Sequence, residues 1–100
     1  RESRDAGPAA DVYALGAILF FLLTGRPPFE GTSATDLLIK VVTEAPPSPR
    51  EFNAEVPDDL EHVCLRCLEK NPADRFPDAT ALAEMVVPLA EKYVTLSATN

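Results

Sequence analysis

The chain has no tryptophan, one histidine, two cysteines and four glycines in 100 residues. Two cysteines are too few for a disulfide framework, and a lone histidine leaves little for a histidine-rich metal site. Basic residues are also scarce, nine Lys and Arg against 16 Asp and Glu, for a net charge of −7. The basic residues are scattered, and binding to phosphate backbones needs them clustered, so nucleic acid is excluded as a partner. No apolar run reaches the roughly 20 residues of a membrane-spanning helix, and no secretory leader is recognisable. These absences imply a reducing, cytoplasmic setting. Strands are missing from the pattern too. Apolar residues fall at helical spacing or in one continuous run, never in convincing alternation. The start on Arg1 fits a piece of a longer protein.

What is present is organised around Asp11 to Thr24. Every residue from Val12 to Leu23 is apolar or glycine. A helix with no polar face expects protein on all sides. Asp11 is placed to cap its start, Gly25 to end it in the left-handed conformation, and Pro27 and Pro28 to prevent its continuation. Ser33 and Asp36 mark the start of a second helix whose Leu37, Leu38, Val41 and Val42 share a face. Ile39 lies off that face. The prolines between Glu44 and Pro57 form a stiff connector, with Phe52 and Val56 pinning it to the core. Its Pro46-Pro47-Ser48-Pro49 matches a short P-x-x-P ligand pattern that also arises by chance. Three acids, Asp58, Asp59 and Glu61, open a third helix, and Leu60, Val63, Cys64, Cys67 and Leu68 form its apolar stripe. The fourth starts at Asp78, carries Leu82, Met85, Val86, Leu89 and Tyr93, and is expected to kink or end near Val87, before Pro88. The expected fold is all-α, four helices around one buried central helix.

Cys64-Leu65-Arg66-Cys67 is a C-x-x-C with His62 nearby. It lies within a helix, both sulfurs fall on the apolar stripe, and three ligands are one short of a structural zinc site, so these cysteines are read as core residues. Lys40 follows Leu38-Ile39 in a pattern superficially like the V-A-I-K lysine of kinases. It lacks the upstream Gly-rich loop and the strand, and is read as a solvated helix residue.

Two segments carry a resemblance. Asp11-Val12-Tyr13-Ala14-Leu15-Gly16, followed by Leu23-Thr24-Gly25-Arg26-Pro27-Pro28-Phe29, resembles the central helix of the large lobe in serine/threonine protein kinases. Cys67-Leu68-Glu69-Lys70-Asn71-Pro72-Ala73-Asp74-Arg75-Phe76 resembles that family's Cys-Leu-x-x-Asp-Pro-x-x-Arg turn. Together the resemblance covers Gly7 to Val87 and is nearest to bacterial kinases of the eukaryotic type. It implies that residues 1–10 are a loop following the activation segment, that 11–93 are part of a kinase domain, and that 94–100 are a frayed tail. It further implies that Asp11 supports the catalytic loop, that Arg75 anchors the activation segment through a glutamate outside this chain, and that Ser33–Thr43 can dock a protein substrate. For Arg75 the residues alone allow a local pair with Asp74, Glu69 or an acid of the first loop. Without the outside partners, Asp11→Ala and Arg75→Ala are expected to do little to this chain.

The chain has no Gly-rich phosphate loop, no His-Arg-Asp and no Asp-Phe-Gly. ATP, magnesium and the catalytic base therefore belong to the missing N-terminal part of the kinase domain, and no catalytic, cofactor or metal residue is assigned here. The expected activity of the whole is ATP-dependent phosphoryl transfer to protein Ser or Thr, with this chain as the structural floor of the lobe. Two alternatives are a stand-alone helical interaction module and a pseudokinase scaffold.

Overall fold

The computed structural model describes residues 7–98, and side chains as far as Tyr93. Four α-helices follow one another: α1 Pro8–Thr24, α2 Ala34–Thr43, α3 Asp58–Cys67 and α4 Ala79–Ala98. Short 3-10 turns at Pro49–Glu51 and Pro72–Asp74 lead into α3 and α4. There is no strand among the described residues.

α1 starts earlier than Asp11. Pro8 takes the first helical position after Gly7, where proline's missing N–H is no loss. Asp11 thus lies inside the first turn, and the expected cap role falls away. The helix start also takes up part of the loop expected over residues 1–10, whose first six residues lie outside the described ones. The other end is as the residues indicate. Gly25 is left-handed at φ 81°, and its N–H donates to the Phe21 carbonyl.

Only one edge of α1 is buried. Val12, Gly16 and Phe20, four residues apart, are enclosed. Around the helix from them, Leu15, Ile18, Phe21 and Leu22 are 40, 55, 52 and 74% exposed. The expectation of cover on every side is corrected for a geometric reason. The chain measures 46 × 32 × 16 Å along its principal axes. Packed helices lie roughly 8–10 Å apart, so a body this thin holds two layers and cannot wrap a third around α1.

The enclosed edge of α1 meets α3 and α4. Val12 packs with Val63, Cys67, Phe76 and Leu82, while Phe20 packs with Cys64 and Leu68. Both thiols sit in this core as small apolar groups, and the Cys64 Sγ lies 3.7 Å from the Gly16 carbonyl oxygen. Burial pushes the Cys64 thiol up to about 12, helped by Cys67. It pushes Cys67 up to about 11 against the opposing charge of Arg66. His62 is exposed on the other side of α3. Gly16 sets the spacing: a Cβ built there would stand 2.3 Å from the Cys67 Cβ.

The connector closes one end of the core. Phe29 and Val56 are buried as expected. Phe52 is more exposed, but meets Phe20 edge-on at 6.2 Å and carries the Arg26 guanidinium 4.2 Å above its ring. Pro49 is buried, and the Ser48 hydroxyl donates to the Glu61 carboxylate. The P-x-x-P run is thereby a wall of the fold.

Two further expectations change. Of the kink or end expected near Val87, an end does not occur: α4 continues through Pro88 to Ala98, across most of the expected tail from 94. Pro88 removes one N–H, while the turn beyond it is tied down: the Tyr93 hydroxyl donates to both Asp59 oxygens at 3.0 and 3.2 Å, and Lys92 reaches the same carboxylate at 3.3 Å. Met85, placed on the apolar stripe by its spacing, is exposed.

The spacing at Gly16 yields a sharp test. Gly16→Ala should destabilise the chain by about 1–3 kcal/mol, the usual cost of overpacking, although alanine favours a helix interior by about 1 kcal/mol over glycine. Urea melts followed by circular dichroism measure the balance. A variant as stable as the parent would show that α1 and α3 do not close at this point.

Candidate functional site

Tyr13, Lys70 and Arg75 meet where α1 begins, beside the turn between α3 and α4. Asn71 nucleates that turn, its side-chain oxygen accepting the Ala73 N–H at 3.1 Å. Pro72 stops α3 from continuing. Phe76 is buried beneath the Arg66 guanidinium, 4.2 Å from its ring centroid. Arg75, between these two fixed residues, is carried back toward α1.

Its guanidinium holds three backbone oxygens. Nε donates to the Glu69 carbonyl at 2.8 Å, one terminal nitrogen to Ala9 at 3.0 Å, and the other to Lys70 at 3.4 Å. The group also lies 5.0 Å from the centre of the Tyr13 ring. Arg75 therefore ties the first turn of α1 to the end of α3. The expected partners were carboxylates. Among the described residues neither Asp74 nor Glu69 forms an ion pair with it, and the first-loop acids Glu2 and Asp5 lie outside them. Carbonyls win locally because the end of a helix leaves its last carbonyls without intrahelical partners. Three of the five guanidinium N–H groups serve these carbonyls, which leaves two that can meet a carboxylate as a fork.

Around Arg75 lies a cleft of about 360 Å³ lined by Ala10, Tyr13, Val41, Val42, Lys70 and Arg75. The Tyr13 hydroxyl is enclosed and has no hydrogen-bond partner among the described residues. Burial raises its pKa, and the neighbouring Arg75 charge opposes the rise. Lys70 donates to the Val41 carbonyl at 2.5 Å and sits 4.5 Å from the Phe29 ring centroid. Burial lowers its pKa, Arg75 lowers it further, and Glu44 acts the other way.

Asp11 stands at the same end of α1, exposed, and its carboxylate has no hydrogen-bond partner among the described residues. α2 is capped as its sequence indicates. The Ser33 hydroxyl accepts the Asp36 N–H at 3.0 Å, and the Asp36 carboxylate accepts the Thr32 N–H at 3.0 Å. No residue of α2 is buried, and Leu38 and Val42 are 61 and 63% exposed.

The corner does not fit a nucleotide. Its cations are directed at backbone carbonyls, and the sequence offers no glycine-rich loop to cradle phosphates. Sequence reasoning found Asp11 and Arg75 and passed over Gly16, Tyr13 and Lys70. Gly16 carried a signal, since a glycine inside an apolar helix is worth a close contact. Lys70 carried none beyond its place near a helix end.

A small all-α unit of four helices is the class that this fold defines. No family model matches the chain. Among curated proteins it is 41% identical over 70 residues to the serine/threonine-protein kinase PrkC of Bacillus subtilis, covering 70% of this chain and 11% of that protein. It is 44% identical over 90 residues to the serine/threonine-protein kinase PkaA of Streptomyces coelicolor, covering 90% of this chain and 16% of that protein. To the serine/threonine-protein kinase pkn3 of Myxococcus xanthus it is 46% identical over 74 residues, covering 72 and 14%. The chain is thus similar to short segments of bacterial serine/threonine protein kinases. It spans between 11 and 16% of the length of these three relatives.

The carbonyl partners of Arg75 alter one sequence expectation. Arg75→Ala should destabilise this chain itself by about 1–3 kcal/mol, because it strips a charged donor from part-buried carbonyls. Arg75→Lys should recover only part of that, since one ammonium cannot span three acceptors. Thermal and urea melts of both variants measure it. A loss of under about 0.5 kcal/mol for the alanine variant, the size of an ordinary surface change, would return Arg75 to a purely external role.

Proposed function

We propose that this chain is the structural floor of the large lobe of a serine/threonine protein kinase, which transfers the γ-phosphoryl group of ATP to a protein hydroxyl. The observation that carries this reading is the 41–46% identity to three bacterial kinases over 70–90% of the chain. ATP, magnesium and the catalytic base are held by the N-terminal part of the domain, and the chain supplies support alone. Asp11 accepts hydrogen bonds from the catalytic-loop backbone, a role supported by its exposed, unengaged carboxylate. Arg75 grips the activation segment with the two N–H groups its carbonyls leave over. Ser33–Thr43 presents Leu38, Ile39 and Val42 to a protein substrate, a role supported by their exposure. The kinase domain works on the cytoplasmic side, where ATP is. No helix among the described residues is long and apolar enough to cross a membrane.

A second reading, a helical interaction module, is favoured by one feature. The groove between α1 and α4, lined by Leu15, Ile18, Leu22, Leu82, Val86 and Val87 among others, has a volume of about 380 Å³ and calls for a cover. In the kinase reading the rest of the lobe covers it.

Steady-state kinetics on the kinase that contains this segment separate the roles. In that kinase Asp11→Ala should lower kcat by about 100-fold, the effect of misplacing a catalytic group by about 1 Å, and cost about 1–3 kcal/mol of stability, because it leaves backbone donors of the catalytic loop unpaired. Full activity in that variant would remove Asp11 from the catalytic support.

A further inference from the structure

α2 is the least embedded helix of the fold, with no buried residue. It is nevertheless held at two points. Within α2, Lys40 donates to the Glu30 carbonyl at 2.8 Å, which fixes the helix to the turn before it. At its C-terminal end the hold comes from elsewhere in the chain. The Glu44 N–H closes onto the Lys40 carbonyl, so the Val41 carbonyl is one of those a helix end leaves open. Lys70, beyond the end of α3, fills it at 2.5 Å. An ammonium is well suited there, because the C-terminal end of a helix carries partial negative charge. The same ammonium lies 4.5 Å from the Phe29 ring centroid, within cation–π range.

Lys70 also faces the other way. Its carbonyl accepts from Arg75 at 3.4 Å, and Arg75 donates to Ala9 of α1 at 3.0 Å. One polar path thus runs from the first turn of α1 through Arg75 and Lys70 to the last turn of α2. Val41 and Val42 line the same cleft as Tyr13, Lys70 and Arg75, so whatever meets Arg75 there also meets the end of α2.

We propose that Lys70 is a latch, a positioning residue whose ammonium ties the C-terminal half of α2 to the Arg75 corner and so makes the order of α2 depend on that corner. The consequence for substrate docking rests on the reading of α2 as a docking surface, whereas the latch itself does not. It gives α2 a built-in control point: with Lys70 engaged α2 is presented rigidly, and with it released the exposed Leu38, Ile39 and Val42 lose their fixed arrangement.

Hydrogen exchange by mass spectrometry on the full 100-residue chain tests the latch, with Lys70→Met and Lys70→Arg beside the parent. Methionine keeps the apolar stem over Phe29 and removes the donor. Lys70→Met should speed exchange of the amides of residues 37–44 about tenfold, as loss of a charge-assisted hydrogen bond implies, while the α3 amides keep their parent rates. Lys70→Arg, which retains a cation, should stay within about threefold of the parent. Unchanged α2 exchange in Lys70→Met would overturn the proposal. So would an equal rise in α2 and α3, or outright unfolding, because Lys70 would then support the core as a whole. Docking is read separately. A Leu38→Ser kinase with an unaltered KM for its protein substrate would reject the docking role and leave the latch standing.

Discussion

The rest of the structure depends on how closely α1 and α3 approach at Gly16. With no side chain there, Cys67 sits directly against the α1 backbone, where an added Cβ would stand 2.3 Å away. That contact divides the core into two halves. On one side Val12 meets Val63, Phe76 and Leu82; on the other Phe20 meets Cys64 and Leu68. It also fixes where α3 ends relative to α1, and hence where the following turn delivers Arg75. The guanidinium can reach the Ala9 carbonyl only because the two helices are held this close. The polar corner is therefore a consequence of the apolar contact, not an independent feature.

The same contact explains why α1 is one-sided here. Its enclosed residues form a narrow seam flanked by the half-buried Tyr13, Ala17, Leu19 and Leu23, while Leu15, Ile18, Phe21 and Leu22 face outward. In a self-sufficient bundle of helices the central helix is buried by its neighbours. Here the exposed row of Leu15, Ile18 and Leu22 is better described as an unfinished core. This accords with the small fraction of its relatives' length that the chain spans. Polar groups at the corner show the same pattern on a smaller scale, with an enclosed Tyr13 hydroxyl and an unengaged Asp11 carboxylate at one end of α1.

Much of the fold could be read from the residues. Gly25 ends α1, Ser33 and Asp36 start α2, Asp78 caps α4 through the Ala81 N–H, and the stripe of α3 is buried where its spacing puts it. These features depend on interactions within a few residues, which is why they were legible. The failures depend on what lies farther away. Asp11 has the chemistry of a cap, yet Pro8 is better suited to begin a helix and no local rule weighs the two. Pro88 was expected to kink or end α4; the helix does not end there, and Asp59, about 30 residues earlier in sequence, anchors Tyr93 and Lys92 beyond it. For the candidate site, the residue types at Asp11 and Arg75 could be named from the motif. The carbonyl partners of Arg75 could not, because backbone oxygens are contributed by any sequence.

The central proposal, which rests on the kinase reading, is that α1 is a spine covered on one side by this chain and on the other by the rest of a kinase lobe. Sedimentation velocity across a range of concentrations, with a dye that fluoresces on apolar surfaces, tests it most directly. The chain alone should self-associate and bind the dye, and the same residues within the longer kinase should do neither. A chain that stays monomeric at high concentration, binds no dye and melts cooperatively would contradict the account, since its core would then be complete without any further cover.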